Sequence, residues 1–133
     1  MAQVQALTNE GFTELGKILA GEASSLPTKI VNIKATFTCD ATATYIGVTK
    51  ATEDGLAIAA GTCSSVITTV ANDTLQVTKE FTVGAGVSVT LYGFGLVNTD
   101  ADVMFMSCLF NAAIPVEAGD KITNTAKIQV KAD

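Results

Sequence analysis

Two pairs of neighbouring carboxylates are the residues of this sequence best suited to chemistry: Asp100 with Asp102, and Glu53 with Asp54. Such pairs suit calcium binding or acid–base catalysis. A calcium site needs about six to eight oxygen ligands from a defined loop, and neither segment has the Asp-x-Asp-x-Asp-Gly spacing that supplies them. Acidic residues are also common in turns that bind nothing. We therefore predict turns at both places, with no catalytic residue and no metal site.

The residue types that are missing exclude most other reaction mechanisms. The chain of 133 residues has no histidine, no tryptophan and no arginine, since its eight basic residues are all lysines. Without histidine there is no Ser-His or Cys-His nucleophile pair, and without arginine the bidentate grip on phosphate is missing. The Gly84-x-Gly86 and Gly93-x-Gly95 segments lack the third glycine and the following helix of a dinucleotide loop. We expect no enzyme activity and no cofactor.

Charge and hydropathy restrict the partners. A net charge of −5 disfavours nucleic acid, and no apolar run approaches the roughly 20 residues that cross a bilayer. The segment Met1 to Gln5 lacks the basic and apolar parts of a secretory signal, so we expect no export. Only 16% of the residues are charged, against roughly 25% in soluble domains, which favours an oligomer or lattice. A threonine-rich β surface is the alternative explanation.

The three cysteines, Cys39, Cys63 and Cys108, are odd in number and widely spaced. This spacing fits neither a disulfide framework nor a zinc site. Free cysteines are among the most often buried residues of proteins. We predict reduced, partly buried thiols.

One helix is predicted, from about Asn9 to Ala20. Thr8 is suited to cap its start, and Gly21 is suited to the left-handed residue beyond its end. Gly11 and Gly16 weaken it by up to about 1 kcal/mol each relative to alanine. The helix needs a sheet or a neighbour to pack on, because its apolar residues share one face: Phe12, Leu15, Ile18 and Leu19.

From Thr28 onward the apolar residues follow the period of two that is typical of strands. About eight or nine short strands predict a mainly β, single-domain antiparallel β-sandwich or jelly-roll-like barrel. The domain spans residues 1–133 and includes an N-terminal arm (residues 1–7) and the helix. The predicted strands are Ile30–Ile33, Ala35–Thr38, Thr42–Thr49, Leu56–Ala60 (a strand or a short buried segment), Ser65–Val70, Leu75–Val83, Val87–Leu91, Val103–Phe110 and Ile122–Lys131.

Glycine and proline indicate how these strands connect. The Gly84-Ala85-Gly86 turn predicts a hairpin between the strands on either side of it. The Gly93 to Leu96 segment allows a bend or bulge, and Pro115 prevents continuation as a central strand. The Val103–Phe110 segment is apolar on both faces, so we expect both faces to be covered.

The longest internal repeat links Ala71–Val83 (ANDTLQVTKEFTV) with Ala118–Val130 (AGDKITNTAKIQV), at a constant offset of 47 residues. Each copy is a turn pair, Asn72-Asp73 or Gly119-Asp120, followed by a strand pattern. The copies are predicted to be equivalent strands. Neither carries an obvious catalytic group, which favours an assembly role.

The segment Leu75 to Asn98 resembles phage tail-collar and tail-fibre proteins. In that family an aromatic-ended strand, a glycine turn and a second strand lead to a Gly-Leu pair. The matching residues here are Phe81, Gly84, Gly86 and Gly95-Leu96. The opening Thr8 to Gly11 with Leu15 and Leu19, the Tyr45-Ile46-Gly47 segment and the closing Ala118–Val130 segment are similar to other parts of the family. Two features differ: Val48-Thr49-Lys50 replaces a glycine-rich run, and the family's arginines are missing.

The resemblance and the composition together predict a non-enzymatic bacteriophage virion structural protein. We expect either a capsid decoration (cement) subunit or a collar or fibre subunit, made in the host cytoplasm and located in the virion. Its expected partners are copies of itself, a trimer among the allowed orders, and virion proteins such as the major capsid protein. The N-terminal arm and the helix are expected to dock on a neighbour. The predicted subunit-contact residues are Leu7, Phe12, Leu15, Leu19, Met104 and Met106.

Three alternatives stay open at this point. For the second apolar face of the strand carrying Met104 and Met106, burial under the helix of the same chain competes with subunit contact. For the function, a carbohydrate- or receptor-binding β-sandwich would need Tyr45, Tyr92 or Phe94 to be exposed for stacking. A surface-layer or pilus subunit would need export.

Overall fold

The computed structural model describes residues 3–22 and 25–130. It is mainly β, with two antiparallel sheets and one short helix near the N-terminus, which agrees with the predicted sandwich. The elements in chain order are β1 (Val4–Leu7), α1 (Asn9–Leu19), β2 (Pro27–Ile33), β3 (Ala59–Ala60), β4 (Thr62–Val66), β5 (Thr74–Thr82), β6 (Ser88–Asn98), β7 (Met104–Glu117) and β8 (Lys121–Gln129).

The two sheets enclose the main core. The larger sheet has the order β1-β7-β6-β2-β3, and the smaller has the order β4-β5-β8. A smaller cluster on the far face of the large sheet contains Val31, Val97 and Met104, and Phe37 and Tyr45 of the long loop after β2 pack against it. The large sheet is therefore covered on one face by the small sheet and on the other by this loop.

A buried hydrogen bond joins the two sheets. The Asn124 side-chain amide in β8 donates to Asn32 Oδ1 in β2 at 2.8 Å, and Asn32 Nδ2 donates to the Leu56 carbonyl at 3.1 Å. Both asparagines are buried. Because a polar group buried without a partner is costly, this chain of bonds helps to fix how the sheets are aligned.

The helix begins and ends as predicted. Thr8 is extended and accepts a hydrogen bond from the Gly11 N–H at 3.0 Å, so it caps the first turn. Gly21, with φ of 76°, follows the end of the helix in the left-handed region.

The internal repeat forms two adjacent strands, β5 and β8. Thr78 pairs with Thr125, and because these are equivalent positions of the two copies, a local twofold axis passes between them. The ends of the pair show the same symmetry: Val83 N–H donates to the Asp120 carbonyl, and Val130 N–H donates to the Asp73 carbonyl, both at 2.8 Å. The prediction of equivalent strands is confirmed.

The turn before each copy is also equivalent. Asn72 and Gly119 both have positive φ, 61° and 91°. The following aspartates each accept a backbone N–H three residues earlier, Asp73 from Val70 and Asp120 from Glu117.

Two predicted strands in the long loop are wrong. The chain over residues 35–49 forms turns and bends and contains no strand, and an isolated bridge connects the residues that flank it, Ile33 and Lys50. Side chains satisfy the backbone locally here, since Asp40 accepts from the Thr42 N–H and Thr44 Oγ1 accepts from the Gly47 N–H. Such local bonds compete with strand pairing.

Other strand boundaries also need correction, and β6 and β7 run well beyond their predicted ends at Leu91 and Phe110, to Asn98 and Glu117. Of the Leu56–Ala60 segment only the last two residues form a strand, and Leu56 is fully buried. The Ser65–Val70 strand is shifted to Thr62–Val66, because Asp73 takes the N–H groups of residues 68–70. The final strand ends at Gln129, and Lys131 lies outside the described residues.

The predicted hairpin at Gly84-Ala85-Gly86 is also wrong. Both of its strands exist, but β5 lies in the small sheet between β4 and β8, and β6 lies in the large sheet between β2 and β7. The glycine turn thus carries the chain from one sheet to the other. The residues of a turn do not show whether the strands on either side of it pair with each other or with other strands.

Strand β7 is buried on both faces, as predicted. It also contains an irregularity that was not predicted, which turns Met104 and Met106 to opposite faces. Residues 104–108 are all buried. A register shift opposite Leu96 and Val97 interrupts the alternation, so Met104 packs in the smaller cluster and Met106 in the main core. Pro115 lies within the strand, at a point beyond the end of β1 where β7 pairs only with β6. It therefore occupies an edge, as expected of proline.

Candidate functional site: an apolar groove between helix and sandwich

An open, mostly apolar groove lies between α1 and the end of the β-sandwich. Its volume is about 520 Å³. The residues that line it are Leu7, Thr8, Gly11, Phe12, Leu15, Phe105, Ile128, Gln129 and Val130.

The helix packs on β7 through only part of its apolar surface. Gly11 is the point of closest approach: a Cβ atom there would lie 2.6 Å from the Phe105 Cα. Ile18 packs against the main core from the same side of the helix. The other apolar side chains of the helix stay exposed, with Phe12 at 55% and Leu19 at 80%.

Hydrogen bonds hold the start of the helix in this position. Thr8 donates its backbone N–H to the Phe105 carbonyl at 3.1 Å and its hydroxyl to the Met104 carbonyl. The Glu10 carboxylate accepts from the N–H of Met104 at 2.6 Å and from the N–H of Tyr45 at 2.9 Å. One helix turn therefore binds β7 and the long loop, and the groove has a fixed wall.

The four N-terminal contact candidates lie together on this surface. Leu7, Phe12 and Leu15 line the groove, and Leu19 continues their row on the helix. All four side chains are exposed. The structure thus places them where a subunit contact would require them.

The two methionine candidates are not on the surface. Met104 is 0% and Met106 is 3% exposed. Their cover comes from the same chain, Met104 lying among residues of the large sheet and the long loop and Met106 between the sheets. Both predicted contacts are therefore wrong for this fold, and the alternative is right only in part: the same chain buries these side chains, but the cover is the long loop and the two sheets and not the helix.

The predicted N-terminal arm is partly a strand. Residues 4–7 form β1, which pairs with β7 from Val4 opposite Leu109 to Leu7 opposite Met106. Gln3 precedes the strand, and Met1 and Ala2 of the predicted arm lie outside the described residues. The arm was expected to dock on a neighbouring subunit, but its last four residues pair with β7 of their own chain.

The thiols differ from one another. Cys108 is buried, and this burial, with the nearby Cys39 adding to it, raises the pKa of its thiol to about 11. Cys39 is half-buried and lies 3.2 Å from Ser107 Oγ. Cys63 is exposed on the outer strand β4, so the prediction of partial burial is wrong for it.

The carboxylate pairs of the sequence serve the loops. Asp102 accepts from the Asn98 side chain at 2.7 Å, and Glu53 pairs with Lys34 at 3.1 Å. The Lys34 hydrogen bond lowers the pKa of Glu53. Over residues 3–22 and 25–130, no group of three His, Cys, Asp or Glu side chains is arranged to hold a metal ion. The described part of the chain also has no helix long and apolar enough to cross a membrane.

The aromatic residues named for glycan stacking are partly or fully covered. Phe94 is buried and its ring lies 6.1 Å from that of Phe110. Tyr45 is half-buried, with Lys50 Nζ 4.5 Å from its ring centre, and Tyr92 is also half-buried.

Half of the groove was not anticipated from the sequence. Phe105, on the strand beneath the helix, and Ile128 and Val130, at the end of the last strand, complete the groove, and Val130 is 75% exposed. The alternation of Ile128 and Val130 indicates a shared strand face. It contains no signal that this face meets a helix more than a hundred residues earlier in the chain.

Comparison with known proteins does not identify the chain. No protein-family model, curated protein or solved structure matches it.

Proposed function

We propose that this chain is a non-enzymatic structural protein of a bacteriophage virion, either a capsid decoration subunit or a collar or fibre subunit. It acts by burying apolar surface against other subunits. Its location is the virion, and its partners are copies of itself and virion proteins such as the major capsid protein.

The exposed apolar groove is the observation that carries this proposal. The helix presents Phe12, Leu15 and Leu19 outward although it is hydrogen-bonded to β7 directly beneath it. Contiguous exposed apolar surface with a fixed shape is typical of interaction sites. Burial yields roughly 25 cal/mol per Å² of apolar area, so a modest contact repeated over a lattice adds substantial stability.

The first test is composition and mass. Virions purified from the phage that encodes the chain should contain it in many copies by mass spectrometry. The recombinant chain should be larger than a monomer by sedimentation or light scattering. A protein that is absent from particles and strictly monomeric contradicts the proposal.

A charge placed in the groove tests the surface itself. Burying a Phe side chain is worth about 1.5–3 kcal/mol, so Phe12→Asp should weaken binding to particles lacking the chain by roughly tenfold or more. Ile46→Asp is the matched control, because Ile46 is 84% exposed and lies outside the groove. Equal binding by the two variants would place the contact elsewhere.

A further inference from the structure

Strand β8 lies at an edge of the small sheet. Strand β5 is paired on both sides, with β4 and with β8. Strand β8 is the repeat copy of β5, yet among the described residues it pairs with β5 alone. The position that β4 takes beside β5 has no counterpart beside β8.

The register shows which backbone groups face outward from this edge. The end bonds of Val83 to Asp120 and of Val130 to Asp73 place the even-numbered residues of β8 in hydrogen-bonded pairs with β5. The N–H and C=O groups of the odd-numbered residues therefore point away from β5. These residues are Lys121, Thr123, Thr125, Lys127 and Gln129.

We infer that a second copy of this chain binds at this edge, β8 against β8, about a twofold axis through Thr125. The inference rests on the proposed assembly function and names its self-contact. Thr125 is the middle residue of Lys121–Gln129, so this register pairs the strand over its full length.

The side chains on the inner face favour this register. It places Ile122 opposite the partner's Ile128, and both isoleucines are half-buried in one chain. The same kind of pairing already exists within the chain, where Phe81 lies opposite Ile122 and Leu75 opposite Ile128. Cross-strand apolar pairs of this kind stabilise antiparallel sheets.

The charges on the outer face favour it too. Lys127 falls opposite the partner's Thr123, and Lys121 opposite the partner's Gln129. Moving the axis to Asn124 would set Lys121 opposite the partner's Lys127, and like charges directly opposite one another are destabilising. The lysine positions thus favour the register centred on Thr125 over the one centred on Asn124.

The edge is continuous with the groove. Ile128 belongs to β8 and also lines the groove, and Lys127 lies beside β1 at a second, smaller depression lined by Gln5, Ala6 and Leu7. A partner strand placed against Ile128 would cover this wall of the apolar surface.

A proline at the axis tests the inference. Thr125→Pro removes an outward N–H that β5 does not use, and edge positions of this kind tolerate proline. Sedimentation should show a dimer, or another even-numbered assembly, for the natural chain, and a dissociation constant raised roughly tenfold or more for the variant. Cys63→Pro is the matched control: on β4, the other outer strand, the Cys63 N–H likewise points away from β5, and the substitution should leave association unchanged.

Disulfide trapping keeps the test independent of how well the proline variant folds. In a Cys63→Ser background, T125C should form a covalent dimer on oxidation, because paired residues of antiparallel strands have Cα atoms about 5.5 Å apart, within disulfide reach. T78C, on the adjacent inner strand, should not.

The outcomes separate this inference from the proposed function. A folded T125P variant that associates like the natural chain, or failure of T125C to crosslink, overturns the β8 contact and leaves the virion proposal standing. A chain that is monomeric but present in particles does the same. A chain that is monomeric and absent from particles overturns both.

Discussion

At the residue scale, Asp73 organises the turn between β4 and β5 through several hydrogen bonds. Its carboxylate accepts backbone N–H groups of Thr68, Thr69 and Val70 at 2.9 to 3.2 Å, and also the side-chain amide of Gln129. The Thr68 bond is the largest cause, and these bonds together hold the pKa of Asp73 well below its ordinary value of 3.8, against the opposing effect of desolvation. One carboxylate thereby ends β4 and attaches the following turn to the end of β8.

The depressed pKa predicts a loss of stability in acid. Because the folded pKa lies below the unfolded value, this contribution is complete above pH 3.8 and is lost as the pH falls below it. Asp73→Asn should lower the midpoint of urea unfolding at pH 7 and flatten its change between pH 5 and pH 2. Asp120→Asn is the control, since in the part of the chain that the structure describes the equivalent Asp120 carboxylate accepts one backbone N–H, that of Glu117. Equal effects of the two substitutions would contradict the role given to Asp73.

At the scale of elements, the helix shows how one glycine decides which face is buried. Gly11 has backbone atoms of Phe105 within 3 Å of where its Cβ would be, whereas a Cβ at Gly16 would have no neighbour within 4 Å. The helix face that carries Gly11 and Ile18 packs on the sandwich, and Phe12 lines the groove beside it. The two glycines look alike in the sequence and have opposite structural roles.

The two glycines therefore predict opposite effects of the same substitution. Gly11→Ala should lower the free energy of unfolding by about 1–3 kcal/mol, because the helix or β7 must shift to make room for the methyl group. Gly16→Ala should stabilise by up to about 1 kcal/mol through helix propensity alone. Chemical denaturation of both variants measures the difference, and two changes of the same sign would show that the helix does not pack on β7 as described.

At the scale of the whole molecule, the two sheets are joined by the asparagine pair as well as by the apolar core. Asn124 reaches Asn32 across the sandwich, and Asn32 reaches the Leu56 carbonyl of the long loop. In the described chain, no buried side-chain nitrogen or oxygen lacks a hydrogen-bond partner. The small sheet, the large sheet and the loop that covers it thus share one satisfied polar network.

Removing one side chain of this network should lower the free energy of unfolding more than removing an exposed side chain beside it. Asn124→Ala leaves Asn32 Oδ1 buried without its donor, which we expect to destabilise by about 1–3 kcal/mol. Thr123→Ala changes an exposed residue next to it and should stay within about 0.5 kcal/mol of the natural chain. Thermal and urea unfolding give both values, and a neutral Asn124→Ala would mean that water or a shifted loop replaces the bond.

Local signals in the sequence determined the β class of the chain, the bounds of the helix and the two equivalent turns. Each depends on residues close together in the chain: the Thr8 cap, the positive φ of Asn72 and Gly119, and the period of two. The same signals overestimated strand around residues 35–49, because Asp40 and Thr44 side chains bond the backbone instead.

Only the tertiary structure decided which strands meet and which apolar residues stay exposed. No local pattern in the sequence indicates that β4 and β8 pair with the two sides of β5, or that a bulge separates Met104 from Met106. Nor does a local pattern show that Gly11 packs against the backbone of Phe105. These outcomes depend on contacts between residues far apart in the chain, where the available edges and the space between backbones determine the result. The apolar character of Leu7, Phe12, Leu15 and Leu19 is visible in the sequence, whereas the extent to which each side chain is exposed depends on how the helix packs on β7.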